Sequence, residues 1–287
     1  MTVADTLTPG LYIVSTPIGN LRDMTERGRA VLAAVDVVLA EDTRVTGKLL
    51  KHYAIDKKIQ RYDDHTGESQ RPRILTALLQ GQSIALVSDA GTPLVSDPGY
   101  KLVKEAGALG IAVFPIPGAS AVLAALAVAG LPTDRFLFAG FSPPKGGPRR
   151  AMLSELAGIR ATLIFYETGP RLHESLIDMA AVFGPEREAC VARELTKLYE
   201  TTIRGPLDAL IADPKLKAPK GEIVVLVGPG REAAATPEDA DKALTEALAR
   251  MSPADAATEV ARALGMPRRD LYRRALDLKG AGSGDAD

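Results

Sequence analysis

Polar residues that could bind a ligand are concentrated in four loops of this chain. Glycine, proline, serine and acidic residues dominate these loops, which cover residues 15–20, 41–44, 88–99 and 115–120. Such residues are common in ordinary turns, so any one loop is weak evidence of a site. The third loop is twelve residues long, and Ala90, Leu94 and Val95 are its only aliphatic members. Glycine lets a backbone approach a ligand closely, and Asp89 and Asp97 can accept hydrogen bonds from an amine or a ribose, so we expect a ligand site here.

The four loops follow apolar segments that predict the strands of a sheet. These strands are predicted at residues 11–14, 35–40, 83–87 and 111–115, with helices at residues 26–34, 73–79 and 100–108. Strands that alternate with helices indicate a mainly parallel sheet with helices on its faces. Ligands bind at the carboxyl ends of the strands in such sheets, which is where these loops lie.

A second alternating series and an all-helical end complete the chain. The second series predicts strands at residues 136–139, 162–166, 188–193, 199–204 and 222–227, with a hairpin around residues 194–198. Helix starts near Pro237, Pro253 and Pro267, with Gly265 between the last two, indicate a helix-turn-helix. The fold class is predicted to be α/β in two domains, residues 9–118 and 119–235. A small helical domain at residues 236–279 and a disordered tail at residues 280–287 are predicted to follow.

The composition limits the partners and the compartment. The 35 Lys and Arg residues nearly balance the 36 Asp and Glu residues, so a nucleic acid would be bound by a local basic surface. Cys190 is the only cysteine, which excludes an intramolecular disulfide and a cysteine-rich zinc site. We expect a metal-free, cytoplasmic protein with no membrane segment, because no leader pattern is present and the longest apolar run, residues 119–131, is too short to span a bilayer.

Three further segments, taken with the loops, resemble a known family. They are Phe165-Tyr166-Glu167, Arg193-Glu194-Leu195-Thr196-Lys197 and Lys220-Gly221-Glu222. The set is similar to the tetrapyrrole-methylase superfamily, and within it to bacterial enzymes that methylate the 2′-hydroxyl of a cytidine in 16S rRNA at the decoding centre. The similarity extends from about residue 10 to residue 279. It implies two α/β domains with S-adenosylmethionine in the cleft between them, a homodimer, and the 30S subunit as partner.

The resemblance also implies which residues bind the cofactor. The expected contacts are Pro17, Ser88, Asp89, Ala90, Gly91, Leu94, Ser120, Ala121, Tyr166, Glu167, Ala192, Gly221, Glu222 and Ile223. A deep cleft between two domains would exclude water, which favours attack on a sulfonium.

A proton must leave the ribose hydroxyl during methyl transfer, and His65, Glu167 and Glu194 are the main candidates for accepting it. His65 is the first choice, since an imidazole is neutral near pH 7 and this one lies in a polar loop. An exposed loop histidine with no catalytic role explains the same residue equally well. Glu167 and Glu194 could instead hold the cofactor or an arginine. Other competitors are Glu41, Asp42 and Asp89. The family has His-Asn-Glu where this chain has His65-Thr66-Gly67, so no role of the Asn or the Glu carries over.

Two basic segments could contact RNA. The first comprises Lys145, Arg149 and Arg150, in and just after a Gly- and Pro-rich loop, and the second comprises Arg268, Arg269, Tyr272 and Arg273 on or near the last helix. Basic and aromatic side chains on an exposed helix suit contact with phosphate and ribose, although a solvated helix face would have the same composition.

Two alternative functions remain open. A tetrapyrrole methyltransferase would share the fold, but it would leave the basic C-terminal helices without a purpose. A non-catalytic helix-turn-helix protein that binds nucleic acid would leave the long polar loops unexplained.

Overall fold

The computed structural model describes residues 7–63, 67–230 and 237–281, with the backbone alone at residues 280–281. These residues form two units, one that ends at Pro229 and one that begins at Gly230. The first unit contains two β-sheets, and the described part of the second is helical. No helix within the described ranges has both the length and the apolar character needed to cross a bilayer.

The first sheet is parallel and carries the four polar loops. Its strands are β1 (Gly10–Val14), β2 (Val37–Ala40), β3 (Ile59–Arg61), β4 (Ser83–Val87) and β5 (Val113–Ile116), in the order β3-β2-β4-β1-β5. The helices between them are α1 (Glu26–Ala34), α2 (Thr43–His52), α3 (Gly67–Leu79) and α4 (Tyr100–Ala108). Val14 is level with both Val87 and Ile116, so the strands end at one edge of the sheet. The polar loops therefore lie side by side at that edge.

Short polar residues define where two of these helices begin. Thr25 and Asp42 have extended backbones, and their side chains accept hydrogen bonds from Gly28 N at 3.0 Å and Arg44 N at 2.8 Å. Each side chain thus satisfies an amide that has no partner within its own helix. As a result, helix α2 begins inside the second polar loop and runs away from the sheet edge.

The second sheet is mixed. Its strands are β6 (Phe136–Phe141), β7 (Thr162–Thr168), β8 (Glu188–Arg193), β9 (Thr201–Pro206) and β10 (Glu222–Val227), in the order β6-β7-β10-β8-β9. Its helices are α5 (Ala121–Ala129), α6 (Gly146–Leu156), α7 (Gly169–Phe183) and α8 (Leu207–Ala212). Strands β6 and β7 are parallel and the other pairs are antiparallel, which confirms the predicted β8–β9 hairpin. Helix α5 packs on one face of this sheet, and helices α6, α7 and α8 pack on the other.

The second unit consists of helices α9 (Pro237–Leu248), α10 (Pro253–Leu264) and α11 (Arg268–Ala281). Ser252 begins α10 by accepting a hydrogen bond from Asp255 N, and Gly265 ends it with a left-handed backbone, φ +64°. Small apolar residues let the three helices pack closely around a common core, which contains Ala240, Leu244, Ala247, Ala256, Ala257, Val260, Leu271 and Ala275. The predicted pair of helices around Gly265 is therefore present.

Apart from shifted bounds and further helices, three differences from the sequence predictions have a clear physical reason or bear on a predicted segment. Strand β3 was not predicted, because it has only three residues and none of them is buried. Helix α6 begins at Gly146, so Arg149 and Arg150 are helical; Pro148 is tolerated because it lies in the first turn, where its missing N–H would have no partner. Helix α11 extends to Ala281, two residues into the segment predicted as a disordered tail, and residues 282–287 lie outside the described residues.

Candidate active site

A cavity of about 350 Å³ lies within the first unit, where the loop edge of the first sheet faces the second sheet. This volume is within the range of small-molecule sites. Both halves of the unit contribute to its lining, which consists of Ile18, Asp89, Ala90, Gly91, Thr92, Val95, Ser96, Asp97, Ser120, Ala121, Phe141, Tyr166, Glu167, Thr168, Ala192, Leu195, Gly221, Glu222, Ile223 and Val224. We call it the first cavity.

The third polar loop is held in a conformation that most residues avoid. Leu94 and Ser96 have φ values of +72° and +63°, and Gly91 has a φ of +85°. Gly91 is fixed to the first loop by two backbone hydrogen bonds, Thr16 N to Gly91 O at 2.8 Å and Gly91 N to Thr16 O at 3.1 Å. Non-glycine residues with positive φ persist only where the surroundings enforce them, and they are concentrated at functional sites. The loop is therefore a rigid wall of the cavity.

The first cavity is acidic. Asp89, Asp97, Glu167 and Glu222 line it, and none of its lining residues that the structure describes is a lysine, an arginine or a histidine. Burial and the nearby carboxylate of Glu41 raise the pKa of Asp97 to about 6. A cationic ligand would relieve this repulsion, so the cavity suits a positively charged small molecule.

Glu167 is a buried structural carboxylate. It accepts hydrogen bonds from Ser142 Oγ at 2.6 Å, Ser175 Oγ at 2.5 Å and Thr168 N at 2.9 Å, and Arg171 Nε lies 3.3 Å away. Its side chain is fully buried, so these contacts are needed to stabilise the charge. The prediction that Glu167 accepts the substrate proton has no support from this geometry, because its oxygens are already engaged.

Glu194 lies behind the cavity wall. The backbone amide of Glu222 and the ammonium of Lys197, each 2.9 Å from Oε1, hold the pKa of Glu194 below its usual value. A Cβ on Gly221 would lie 2.3 Å from the same oxygen, which explains the glycine there, at φ +98°. Glu194 is absent from the cavity lining, so its contacts assign it to the support of β10.

The structure brings most of the expected cofactor residues together. Eleven of them line the first cavity, namely Asp89, Ala90, Gly91, Ser120, Ala121, Tyr166, Glu167, Ala192, Gly221, Glu222 and Ile223. Pro17 and Ser88 line a neighbouring cavity instead. Leu94 is partly buried and packs against the core of the first sheet instead. His65 lies outside the described residues, so its predicted role stays a prediction.

Sequence reasoning missed several residues that line the cavity. Thr92, Val95 and Ser96 belong to the third polar loop, so the length of that loop was a usable signal for them, and Asp97 of the same loop was predicted to accept hydrogen bonds from a ligand. Leu195 belongs to segment 193–197, which carried the family resemblance, whereas Phe141, Thr168 and Val224 had no comparable signal, because they lie on strands of the second sheet that meet only in the folded chain.

A second cavity of about 340 Å³ adjoins the first. The two share Ile18, Asp89, Ala90 and Glu222. The rest of its lining comes from the first loop and the residue after it, helix α2, the start of the third loop and the β8–β9 turn, namely Thr16, Pro17, Gly19, Leu21, Val45, Thr46, Lys48, Leu49, Ser88 and Lys197. It therefore opens toward helix α2.

The first group of expected RNA contacts is largely engaged within the protein. Arg149 has a side chain that is 3% exposed, and it donates to Asp178 Oδ2 from Nε at 2.7 Å. Arg150 donates to the other oxygen of Asp178 at 2.8 Å. Burial acts to raise the pKa of Asp178, but the hydrogen bonds from Arg150 and Arg149 outweigh it and lower that pKa. Arg149 is thus unavailable to RNA, whereas Lys145, at the start of α6, is exposed.

The second group is at the surface of helix α11. Arg268, Arg269, Tyr272 and Arg273 are all exposed. Arg268 donates to Thr258 Oγ1 at 2.8 Å, and Arg273 is 3.0 Å from Asp270. Exposed ion pairs of this kind are weak and compete readily with other anions. This surface is therefore available to a polyanion.

Metal ligands are not clustered in the part of the chain that the structure describes. No group of three or more His, Cys, Asp and Glu side chains there is arranged to hold a metal ion.

Comparisons with known proteins agree with this architecture. The family of tetrapyrrole (corrin/porphyrin) methylases matches residues 10–211, and the RsmI C-terminal HTH domain matches residues 234–279. The protein named ribosomal RNA small subunit methyltransferase I in Erythrobacter litoralis is 54% identical over 96% of this chain and 98% of its own length. The protein of the same name in Mesorhizobium japonicum is 51% identical over 98% of this chain and 96% of its own length.

A solved structure shares the fold. Uroporphyrin-III-C-methyltransferase from Thermus thermophilus has a TM-score of 0.54 at 22% identity, covering 77% of this chain and 94% of that one. At this level of identity the match shows the architecture alone.

Proposed function

The chain belongs to the tetrapyrrole methylase family, and we propose that it methylates the 2′-hydroxyl of a cytidine ribose in 16S rRNA, at the decoding centre of the small ribosomal subunit in the cytoplasm. The methyl donor of this family is S-adenosylmethionine. Its relatives with 51–54% identity over nearly the full chain bear the name of a small-subunit rRNA methyltransferase, which supports rRNA as the acceptor.

The first cavity fits this methyl donor, and this fit is the observation that carries the proposal. S-adenosylmethionine has a sulfonium and an ammonium against one carboxylate, so it is a net cation. Four carboxyl groups line the cavity; because Glu167 is next to Arg171 and Glu222 is paired with Lys197, the attraction for a cation comes mainly from Asp89 and Asp97 of the third loop. Tyr166 and Ile223 supply apolar surface from the second sheet for the nonpolar parts of the molecule. When bound, the cofactor supplies an electrophilic methyl group.

Alignment is the chain's main contribution to the reaction. Methyl transfer requires the acceptor oxygen, the methyl carbon and the sulfur to lie in line. Positioning of reactants can lower a barrier by about 7–11 kcal/mol, whereas a general base contributes about 10² to 10⁴-fold in rate. The fixed backbone at Gly91 and Thr16 gives the cavity the rigidity that such alignment needs.

The residue that accepts the proton is part of the proposal. Because Glu167 and Glu194 are engaged by neighbouring groups, His65 is the remaining candidate of the three. His65→Ala should lower the single-turnover rate by about 10² to 10⁴-fold while cofactor affinity stays constant. A loss below tenfold would remove His65 from the reaction and leave positioning as the main source of catalysis.

Helix α11 supports the choice of RNA as the acceptor. Its exposed arginines and Tyr272 present positive charge and an aromatic ring, which suit phosphate and ribose.

A homodimer is also part of the proposal. The exposed side chains of Leu198 and Tyr199, on the β8–β9 turn, are apolar surface of the kind that subunits cover. Light scattering of the full chain tests the dimer.

One experiment separates this proposal from its rivals. Purified protein is titrated with S-adenosylmethionine in a calorimeter and then incubated with methyl-labelled cofactor and 30S subunits, free 16S rRNA or a tetrapyrrole. We expect cofactor binding, label in the rRNA, and its recovery as 2′-O-methylcytidine after digestion. Label in the tetrapyrrole, or no cofactor binding at all, would refute the proposal.

A further inference from the structure

We propose that the second cavity receives the acceptor nucleotide and that the basic face of helix α2 binds the phosphates beside it. This inference rests on the proposed function, since it assigns a place to the RNA that the reaction requires. It assigns RNA contact to the first unit, in addition to the surface of helix α11.

The two cavities meet at a single wall. Asp89, Ala90 and Glu222 line both of them, and so does Ile18. The two cavities are therefore neighbours, and the proposal requires a group bound in the second to meet the contents of the first beside these residues. Such adjacency is what a methyl transfer needs, because donor and acceptor atoms must come within about 3–3.5 Å before they react.

The cavities differ in charge. The first has no basic residue in its described lining, whereas the second is lined by Lys48 and Lys197. Lys197 is compensated within the protein, since its ammonium lies 2.9 Å from both Glu194 Oε1 and Glu222 Oε2. Lys48 is exposed and makes no hydrogen bond or ion pair with any described residue. The second cavity thus has a cation available for an anionic ligand, and the first does not.

Helix α2 extends this positive charge along its surface. Arg44, Lys48 and Lys51 are spaced by four and three residues, so they lie on one face of the helix, and all three are exposed. No acidic residue occurs between Thr43 and His52. The nearest acid, Asp42, caps the helix and is 2.6 Å from Arg44. At a rise of about 1.5 Å per residue, these cations are separated by about 6 Å and about 4.5 Å along the helix.

A row of cations beside a small cavity fits a single RNA strand. The strand's phosphates would follow Arg44, Lys48 and Lys51, while one nucleotide turns into the cavity. Paired nucleotides cannot enter a cavity of about 340 Å³, so the segment bound here must be unpaired. At the common wall, Asp89 accepts one hydrogen bond, from Asp42 N at 3.1 Å. The other carboxylate oxygen can accept a hydrogen bond from the ribose hydroxyl and orient it.

The test compares charge reversal at Lys48 with the same change on another helix. Lys48→Glu is matched by Lys104→Glu on α4, because Lys104 is also exposed and lines neither cavity. Binding of a fluorescent, single-stranded, cytidine-containing RNA oligonucleotide to the full-length chain is measured by anisotropy over a salt series. Calorimetric titration with S-adenosylmethionine, for each variant, reports whether the first cavity is intact.

We expect Lys48→Glu to weaken RNA binding severalfold and to lower the slope of log affinity against log salt by about 0.7, the value for one phosphate contact in a single strand. Its cofactor affinity should remain within twofold of wild type, and Lys104→Glu should match wild type in both measurements. RNA binding by Lys48→Glu equal to that of Lys104→Glu, at every salt concentration, would overturn the inference.

Transfer of label to 30S subunits distinguishes a wrong acceptor site from a wrong proposed function. If the wild-type chain labels rRNA and Lys48→Glu does so at the same rate with subsaturating subunits, the second cavity is not the acceptor site and the proposed function stands. If the wild-type chain labels no rRNA, the proposed function fails and this inference fails with it.

Discussion

Replacement of Gly91 by alanine tests the proposed role of the third loop most directly. Gly91 has a φ of +85°, which costs an L-residue about 1–2 kcal/mol. The added Cβ would lie 3.3 Å from Ile18 Cγ2 and 3.8 Å from Ala119 O, so the steric cost is small beside the backbone cost. We expect the free energy of unfolding to fall by about 1–2 kcal/mol, measured by urea denaturation.

The same substitution should affect the cofactor separately. Gly91 lines the first cavity, so a methyl group there occupies space beside the ligand. We expect the Kd for S-adenosylmethionine, measured by calorimetry on the folded variant, to rise by about tenfold, which corresponds to about 1.4 kcal/mol.

Gly81→Ala is the matched control. Gly81 lies at the other end of β4, has a φ of +91°, and has no neighbouring atom within 4 Å of an added Cβ. It should therefore lose a similar free energy of unfolding with no change in cofactor affinity. Equal cofactor affinity of the two variants would refute the contact between Gly91 and the cofactor. Stability losses that differ by several kcal/mol would refute the backbone argument.

Three further predictions concern charge. Because the pKa of Asp97 is about 6, its carboxylate forms as the pH rises through 6, and the affinity for cationic S-adenosylmethionine should rise over the same range. This rise in affinity should be absent in Asp97→Asn, and it should be smaller for the product, whose thioether sulfur carries no charge. Arg149→Met should lower the free energy of unfolding in urea by about 1.5–3 kcal/mol, because it removes a buried, charged hydrogen bond to Asp178 and leaves that carboxylate with Arg150, whereas Lys145→Met at the exposed start of α6 should have almost no effect. Deletion of residues 230–287 should preserve cofactor affinity in calorimetry but weaken rRNA binding and its salt dependence; unchanged binding would remove the helical unit from RNA recognition.

Local sequence was sufficient to predict the helices and strands whose formation depends on their own residues and flanking loops. Strand β4 was predicted with its observed bounds, Ser83–Val87, because all five of its residues are buried and polar loops flank it. Helices α1 and α4 and strands β8 and β10 were also predicted with the observed bounds. The polar loops were recognised because parallel strands all end at one edge, so a loop after a buried strand has a known place.

Helices and strands that are stabilised by contacts with distant parts of the chain were missed. The Gly-Gly-Pro segment that begins α6 has low helix propensity, and the helix is stabilised by contacts with α7, including that of Arg149 with Asp178, 29 residues away. Strand β3 forms because β2 offers it a free edge, since three half-exposed residues have little strand preference of their own.

The same distinction holds for the site. The sequence alone determined that glycine and acidic residues would lie at the ends of the first-sheet strands. The succession of strands and loops along the chain, and the composition of each loop, can both be recognised from short segments. Tertiary structure decided what each carboxylate does. Glu167 accepts hydrogen bonds from the hydroxyl groups of Ser142 and Ser175, whereas Asp97 is half-buried near Glu41, and this environment raises its pKa. Desolvation and hydrogen bonding depend on distances between segments far apart in the chain, and only the folded protein sets those distances.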